Sequence, residues 1–215
     1  MSHRLIKSLG LKRRRAFTLV ELLVVMAIVG ILATLIIPSI GSLMRSYNLN
    51  RASSMITDEL TSSRQAALTK NADVEVRFYQ TGTTGNSTDL QYRAFRAFLS
   101  ATDQPLDKIN YLPNQVIICP NPTYSTLLDY TNTSRSGIST NQEVLPGGTT
   151  MTPYVSFTFR ATGGTGLTPV TPPIGIWDLA LYTETTPATT STGLPSNYIT
   201  VQVDPVTGNE RVYRP

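Results

Sequence analysis

Hydrophobic positions along the first third of the chain run together and then spread out. From Leu19 to Ile37 the clearly polar side chains are Glu21 and Thr34. Such a run predicts a helix that is apolar on every side. Nineteen helical residues rise about 28 Å, close to the ~30 Å thickness of a bilayer's hydrocarbon core. Beyond it Leu43, Tyr47, Ala52, Met55, Ile56, Leu60, Ala67 and Leu68 recur at helical spacing, with Arg45, Arg51, Asp58, Glu59 and Arg64 between them. The two patterns join into one predicted helix from Phe17 to about Lys70, its second half amphipathic and laid on a soluble domain. Asn71-Ala72-Asp73 is a terminator for it.

The period then changes from helical to twofold. Residues 74–79 alternate and predict a strand, 81–89 are rich in turn residues, and 90–99, with Tyr92, Phe95 and Phe98, predict a second strand. Residues 100–114 read as a loop, 115–119 as a short strand, and 120–150 carry no strong pattern. Strands are predicted again at 154–159, 177–183 and 198–203. Asp204-Pro205-Val206-Thr207-Gly208 then turns the chain into a C-terminal hairpin with 211–213. The Thr/Pro/Gly tracts at 161–175 and 184–197 read as loops. Trp177 and the tyrosines are read as core and sheet residues. A long helix followed by antiparallel strands is an α+β fold.

Charge sharpens the division. Six of the 18 Lys and Arg residues lie in the first sixteen positions, which hold no acid; the remaining 12 face all 14 acids, so the rest of the chain is −2. The high pI, 9.3, thus belongs to a basic leader and gives no reason to expect a nucleic-acid-binding body. The single cysteine, Cys119, excludes an internal disulfide and is read as a half-buried small apolar residue. Abundant Thr, Ser, Asn, Gly and Pro with little charge suit an extracytoplasmic β-rich domain.

The cluster Lys12 to Arg15 abuts the apolar run, which by the positive-inside rule keeps that end cytoplasmic and the C-terminal domain outside. A cleaved secretory signal would have a shorter core, roughly 7–15 residues, and a better cleavage site than Pro38-Ser39-Ile40-Gly41. A plain signal-anchor accounts for the length but not for Glu21, because an unpaired charge costs about 2.5–3.5 kcal/mol at the membrane centre and less near an end. The third reading gives Glu21 a partner on another molecule.

The stretch Ala16-Phe17-Thr18-Leu19-Val20-Glu21-Leu22-Leu23-Val24-Val25 resembles the type III signal of type IV prepilins and type II secretion pseudopilins. The resemblance implies a membrane aspartic peptidase, cleavage between Ala16 and Phe17, and methylation of the new N-terminus at Phe17. It makes Glu21 the fifth mature residue and puts Pro38 where the family carries a helix-distorting proline. Alanine stands at position 16 where the family usually has glycine. Cleavage there creates an ammonium at the end of a membrane helix, one turn from Glu21. The ammonium of a neighbouring subunit then fixes the axial register, because a wrongly staggered copy leaves Glu21 buried and unpaired.

Ala27, Gly30, Ala33 and Thr34 recur at three- and four-residue spacing, either as a close-packing helix face or as apolar filler. Gly30 and Pro38 bracket a stretch of weakened helix, read as a kink or local melting inside a filament. Residues 62–71 before a strand, and 157–164 before a final hairpin with Gly208 and Arg211, resemble H-type minor pseudopilins. The closing run 203–215 resembles prepilin-like cassette proteins of Verrucomicrobia. The organisation implied is a cleaved leader (1–16), a transmembrane assembly helix (17–43), its amphipathic continuation (44–72) and a periplasmic pilin-like domain (73–215). The implied partners are other pilins or pseudopilins, the prepilin peptidase, the inner-membrane assembly platform and membrane lipid.

No catalytic residue is identified. The only histidine, His3, lies in the leader, so the processed chain has no histidine for a nucleophile pair or a metal. Gly163-Gly164-Thr165-Gly166 lacks the lysine and helix of a phosphate loop. Asp58-Glu59 reads as solvated helix charge, and Asp103 and Asp107 lack calcium-loop spacing. No cofactor and no metal are expected. Two rival readings remain: a DNA-binding minor pilin contacting phosphate through Arg211 and Arg214, beside Tyr213, and an unprocessed membrane-anchored adhesin-like domain.

Overall fold

A computed structural model of the chain describes residues 17–82, 90–132, 134–169, 176–184 and 193–214, with side chains for all of these except 35–40 and 42. The leader with Ala16, most of the 81–89 turn, and parts of the loops at 161–175 and 184–197 lie outside the described residues. The chain divides into two compact units, Met1–Leu43 and Met44–Pro215. Helix α1, Leu19–Lys70, contributes to both.

The helix stops at Lys70 because Asn71 takes the left-handed conformation (φ 48). The Ala72 N–H then returns to the Ala67 carbonyl at 3.2 Å and the Asn71 N–H to that of Leu68 at 3.4 Å. This paired closure satisfies the last carbonyls of a helix.

In the second unit the described strands are β1 (Val74–Thr81), β2 (Gln91–Leu99), β3 (Gln104–Pro105), β4 (Asn110–Tyr111), β5 (Val116–Ile118), β6 (Ile138–Val144), β7 (Met151–Phe159), β8 (Trp177–Thr183), β9 (Tyr198–Val203) and β10 (Glu210–Tyr213). They form one sheet ordered β10-β9-β8-β5-β2-β1-β7-β6, with β3 and β4 also paired to β2. Every described pairing is antiparallel. The fold is thus α+β, with a large antiparallel sheet.

One sheet face carries the main core. Leu49, Ala52, Ile56, Leu60 and Ala67 of α1 pack with Val76, Phe78, Phe95, Phe157, Trp177 and Val201. Phe78 sits 6.4 Å from both Phe95 and Phe157, ring centroid to centroid. A bulge keeps β2 in this core: the register steps from Tyr79↔Ala94 to Gln80↔Tyr92, leaving Arg93 as the extra residue, so Tyr92 and Phe95 both join the α1 side. The other sheet face holds smaller clusters, one around Tyr79, Ala94, Phe98, Leu145 and Tyr154, another around Ile117, Cys119, Ala180 and Tyr182.

The C-terminal hairpin is fastened to α1. Arg64 Nε donates to the Gly163 carbonyl at 2.9 Å, and Thr165 Oγ1 donates to that of Pro205 at 2.6 Å. At Gly208 (φ +68) a Cβ would fall 2.7 Å from the Gly163 oxygen, so the close crossing of the two turns demands glycine there.

Several expectations need correction. Leu43, Tyr47 and Leu68 do not join the packing face of α1 but stay exposed, and Leu49 is buried instead. The loop expected at 100–114 contains β3 and β4, and the patternless 120–150 region contains β6 and a 3-10 turn at Thr126–Leu128. The β6 strand is an edge strand whose central residues, Ser139 to Gln142, are polar and exposed, so it shows no hydrophobic alternation.

Candidate functional site

The start of α1 gathers the candidate assembly residues. Thr18 caps the helix: its Oγ1 accepts the Glu21 N–H at 3.2 Å and its carbonyl accepts the Leu22 N–H at 3.2 Å. Thr-x-x-Glu is the capping-box spacing, a signal that the reading of the apolar run missed. The cap leaves Phe17 just outside the helix and puts Glu21 in its first turn, where the helix dipole favours an anion.

Every described side chain from Phe17 to Thr34 is exposed; Phe17 and Leu19 are 76% and 79% open. The helix is therefore apolar around its circumference and uncovered by the described residues of its own chain. The two polar residues of the run differ in how they are satisfied. Thr34 Oγ1 donates to the Ile31 carbonyl at 2.7 Å. No hydrogen bond or ion pair reaches the Glu21 carboxylate among the described residues. Gly30 has open space where a Cβ would stand, so nothing among the described residues demands glycine there. Pro38 falls inside the helical span, and its side chain is not among those described. Among the described residues no helix is long and apolar enough to cross a membrane; the apolar stretch with described side chains ends at Thr34.

The candidate nucleic-acid residues do not converge. Strand alternation puts Arg211 with Tyr213 on one face of β10, and Glu210, Val212 and then Arg214 on the other. Glu210 is hydrogen-bonded to Thr61 of α1. Arg214 donates to Asn50 Oδ1 at 3.0 Å and Asn197 Oδ1 at 3.1 Å, which occupies the side chain within the fold.

Two charge clusters lie in the β-domain. Arg77, on the sheet face away from α1, is only 6% exposed. It pairs with Glu75 at 2.6 Å, Glu143 at 2.6 Å and Asp103. Its guanidinium lies between the rings of Phe98, 4.0 Å away, and Tyr154, 4.8 Å away. Burial works against its charge, but the hydrogen bond and charge of Glu75, followed by Asp103, raise its pKa further above its ordinary value. Ser156 donates to Glu75 at 2.5 Å, and Tyr79 donates to Glu143. Burial and then that bond push the Tyr79 phenol up. Every donor here is turned inward, so the cluster acts as a structural tie between β1, β2 and β6.

The second cluster corrects the reading of Asp58-Glu59 as solvated charge. Asp58 is exposed, but Glu59 is 7% exposed on the buried side of α1. Burial, reinforced by the charge of Asp107 and a hydrogen bond to it, pushes its carboxyl up to about 8. Cys119 is likewise buried rather than half-buried, and burial raises its thiol. Among the described residues no group of three or more His, Cys, Asp or Glu side chains could hold a metal.

No match was found among curated proteins or among solved structures. Residues 11–37 match the family model described as the prokaryotic N-terminal methylation motif; this segment, which holds Ala16, Phe17, Glu21 and Gly30, is similar to the N-terminal signal of type IV pilin-like prepilins.

Proposed function

We propose that the chain is a minor pseudopilin- or pilin-like structural subunit, cut between Ala16 and Phe17, methylated at Phe17, and assembled into a type II secretion pseudopilus or a type IV pilus. The residues from Leu19 to Ile37 span the bacterial inner membrane before assembly, the basic leader facing the cytoplasm and the β-domain the periplasm. The subunit acts by polymerising rather than by catalysis. Its partners are other pilins or pseudopilins, the prepilin peptidase, the assembly platform and lipid.

One observation carries this reading: a capped helix, apolar and uncovered on all sides, bears a lone carboxylate in its first turn with no partner among the described residues. Lipid covers such a surface in the monomer, and neighbouring helices cover it in a filament. Glu21 is then costly unless a cation meets it, and the Phe17 ammonium of an adjoining subunit supplies one. Close packing at Gly30 and adaptation at Pro38 accompany that assembly.

The test is Glu21→Ala in cells that assemble the filament. The variant should lose its leader normally yet fail to enter the filament. Normal incorporation would remove the pairing from the account; loss of processing would show that Glu21 serves the peptidase instead.

A further inference from the structure

We propose that Glu59 holds a proton beside the Asp107 carboxylate, and that this proton lets the Asn110 amide fasten the corner at residues 104–111 onto α1. Asn110 Nδ2 donates to Glu59 Oε2 at 2.9 Å and to Asp107 Oδ2 at 3.3 Å. The two carboxyl oxygens therefore stand no more than about 6 Å apart, with one neutral amide between them. Two like charges at that separation, one of them buried, raise the affinity of one site for a proton.

The surrounding groups do not supply a cation. On α1 the neighbouring Asp58 is exposed. From β2, it is the Ala97 backbone that faces Glu59. Arg96 spends its Nε on the Asp107 carbonyl at 2.8 Å, with its guanidinium over the Phe98 ring on the opposite sheet face. In the corner itself Lys108 is exposed, and neither an ion pair to Glu59 nor one to Asp107 occurs among the described residues. Asp107 is open to water whereas Glu59 is buried, so Glu59 is the acid that keeps the proton.

The consequence is a pH-dependent latch. Beyond this the corner is held by two-residue strands, β3 and β4, by the partly buried Leu106 and Ile109 against the core clusters, by Arg96 Nε on the Asp107 carbonyl, and by backbone bonds from the Leu106 N–H to the Ala97 carbonyl and from the Leu112 N–H to that of Arg93. Loss of the proton sets two anions against each other across one amide and loosens residues 104–111 from α1. The β1–β2–β7 core remains in place.

Hydrogen exchange of the full chain in non-ionic detergent tests this at the Leu106 and Leu112 amides, corrected for intrinsic exchange. Protection should be full below about pH 4.5, fall by up to about tenfold per pH unit from there to about 8 and level off above, while Glu59→Gln keeps it level throughout. Level protection in the unaltered protein overturns the proposal, as does an undiminished fall in Glu59→Gln. Infrared spectra of protein labelled with carboxyl-¹³C glutamate need no variant. They should show one protonated glutamate at pH 7 that disappears on raising the pH to 9. Absence of that signal at pH 7 would also overturn the proposal.

Discussion

Replacing Arg77 with methionine isolates the cost of the cluster behind the sheet. The new side chain keeps an apolar stem between Phe98 and Tyr154 but removes every donor. Asp103, with its side chain 68% exposed, is rehydrated, so its share is at most about 1 kcal/mol. Glu75 and Glu143 are 18% and 24% exposed and keep one hydroxyl donor each, from Ser156 and Tyr79. Each loses charge-assisted bonds worth about 1.5–3 kcal/mol, and the lost stacking adds about 1 kcal/mol. Taken at the low end of these ranges the sum is about 4 kcal/mol, within the range for breaking a buried ion pair, and corresponds to a fall in Tm of about 10 °C. The single tryptophan, Trp177, is fully buried, so its fluorescence during thermal unfolding of the full chain in mild detergent reads this domain directly. Adding Glu75→Gln and Glu143→Gln to Arg77→Met should recover most of the loss, because the stranded charges are then gone. A loss under about 1 kcal/mol, or no recovery, would refute the claim that the three acids depend on Arg77.

Other outcomes follow from the same geometry. Glu59 keeps its proton to about pH 8 in the folded chain and releases it near 4.5 when unfolded; stability due to this group is therefore complete below pH 4.5 and falls as pH rises to 8. The fall is at most about 5 kcal/mol, and urea titrations of the unaltered protein and Glu59→Gln should differ by that slope. Gly208→Ala forces a Cβ against the Gly163 carbonyl and should lower stability by about 1–3 kcal/mol, seen as an earlier urea midpoint; Gly30→Ala, which meets open space in the chain, should leave that midpoint unchanged. Phe157→Ala empties a fully buried position and should cost about 3–5 kcal/mol by the same measurement.

Local chemistry made much of the fold readable. Asn71 ends the helix where its residue type says it should, and the strands at 74–79, 154–159, 177–183 and 198–203 follow their alternation because each has at least one buried face. The Thr18 cap was equally readable, as a Thr followed three residues later by Glu. What escaped depends on contacts between distant residues. Ser139 to Gln142 form an edge strand held by backbone bonds to β7, which side-chain pattern does not encode. Glu59 belongs with Ile56, Leu60 and Ser63 on the inner side of α1, and only Asp107 and Asn110, some fifty residues away, explain a carboxyl there. Arg77 looks like the solvent face of β1 until Phe98, Tyr154 and Glu143 arrive from three other strands. Arg211 and Arg214 looked like one basic end, yet strand alternation and Asn50 part them.

The central claim is that a neighbour's freed amino terminus neutralises the Glu21 carboxylate, and this requires that the leader be removed. The mass of the intact protein extracted from membranes of a cell with an active prepilin peptidase tests that most directly. The account predicts a chain beginning at Phe17 with one added methyl group; a chain still beginning at Met1 would contradict it.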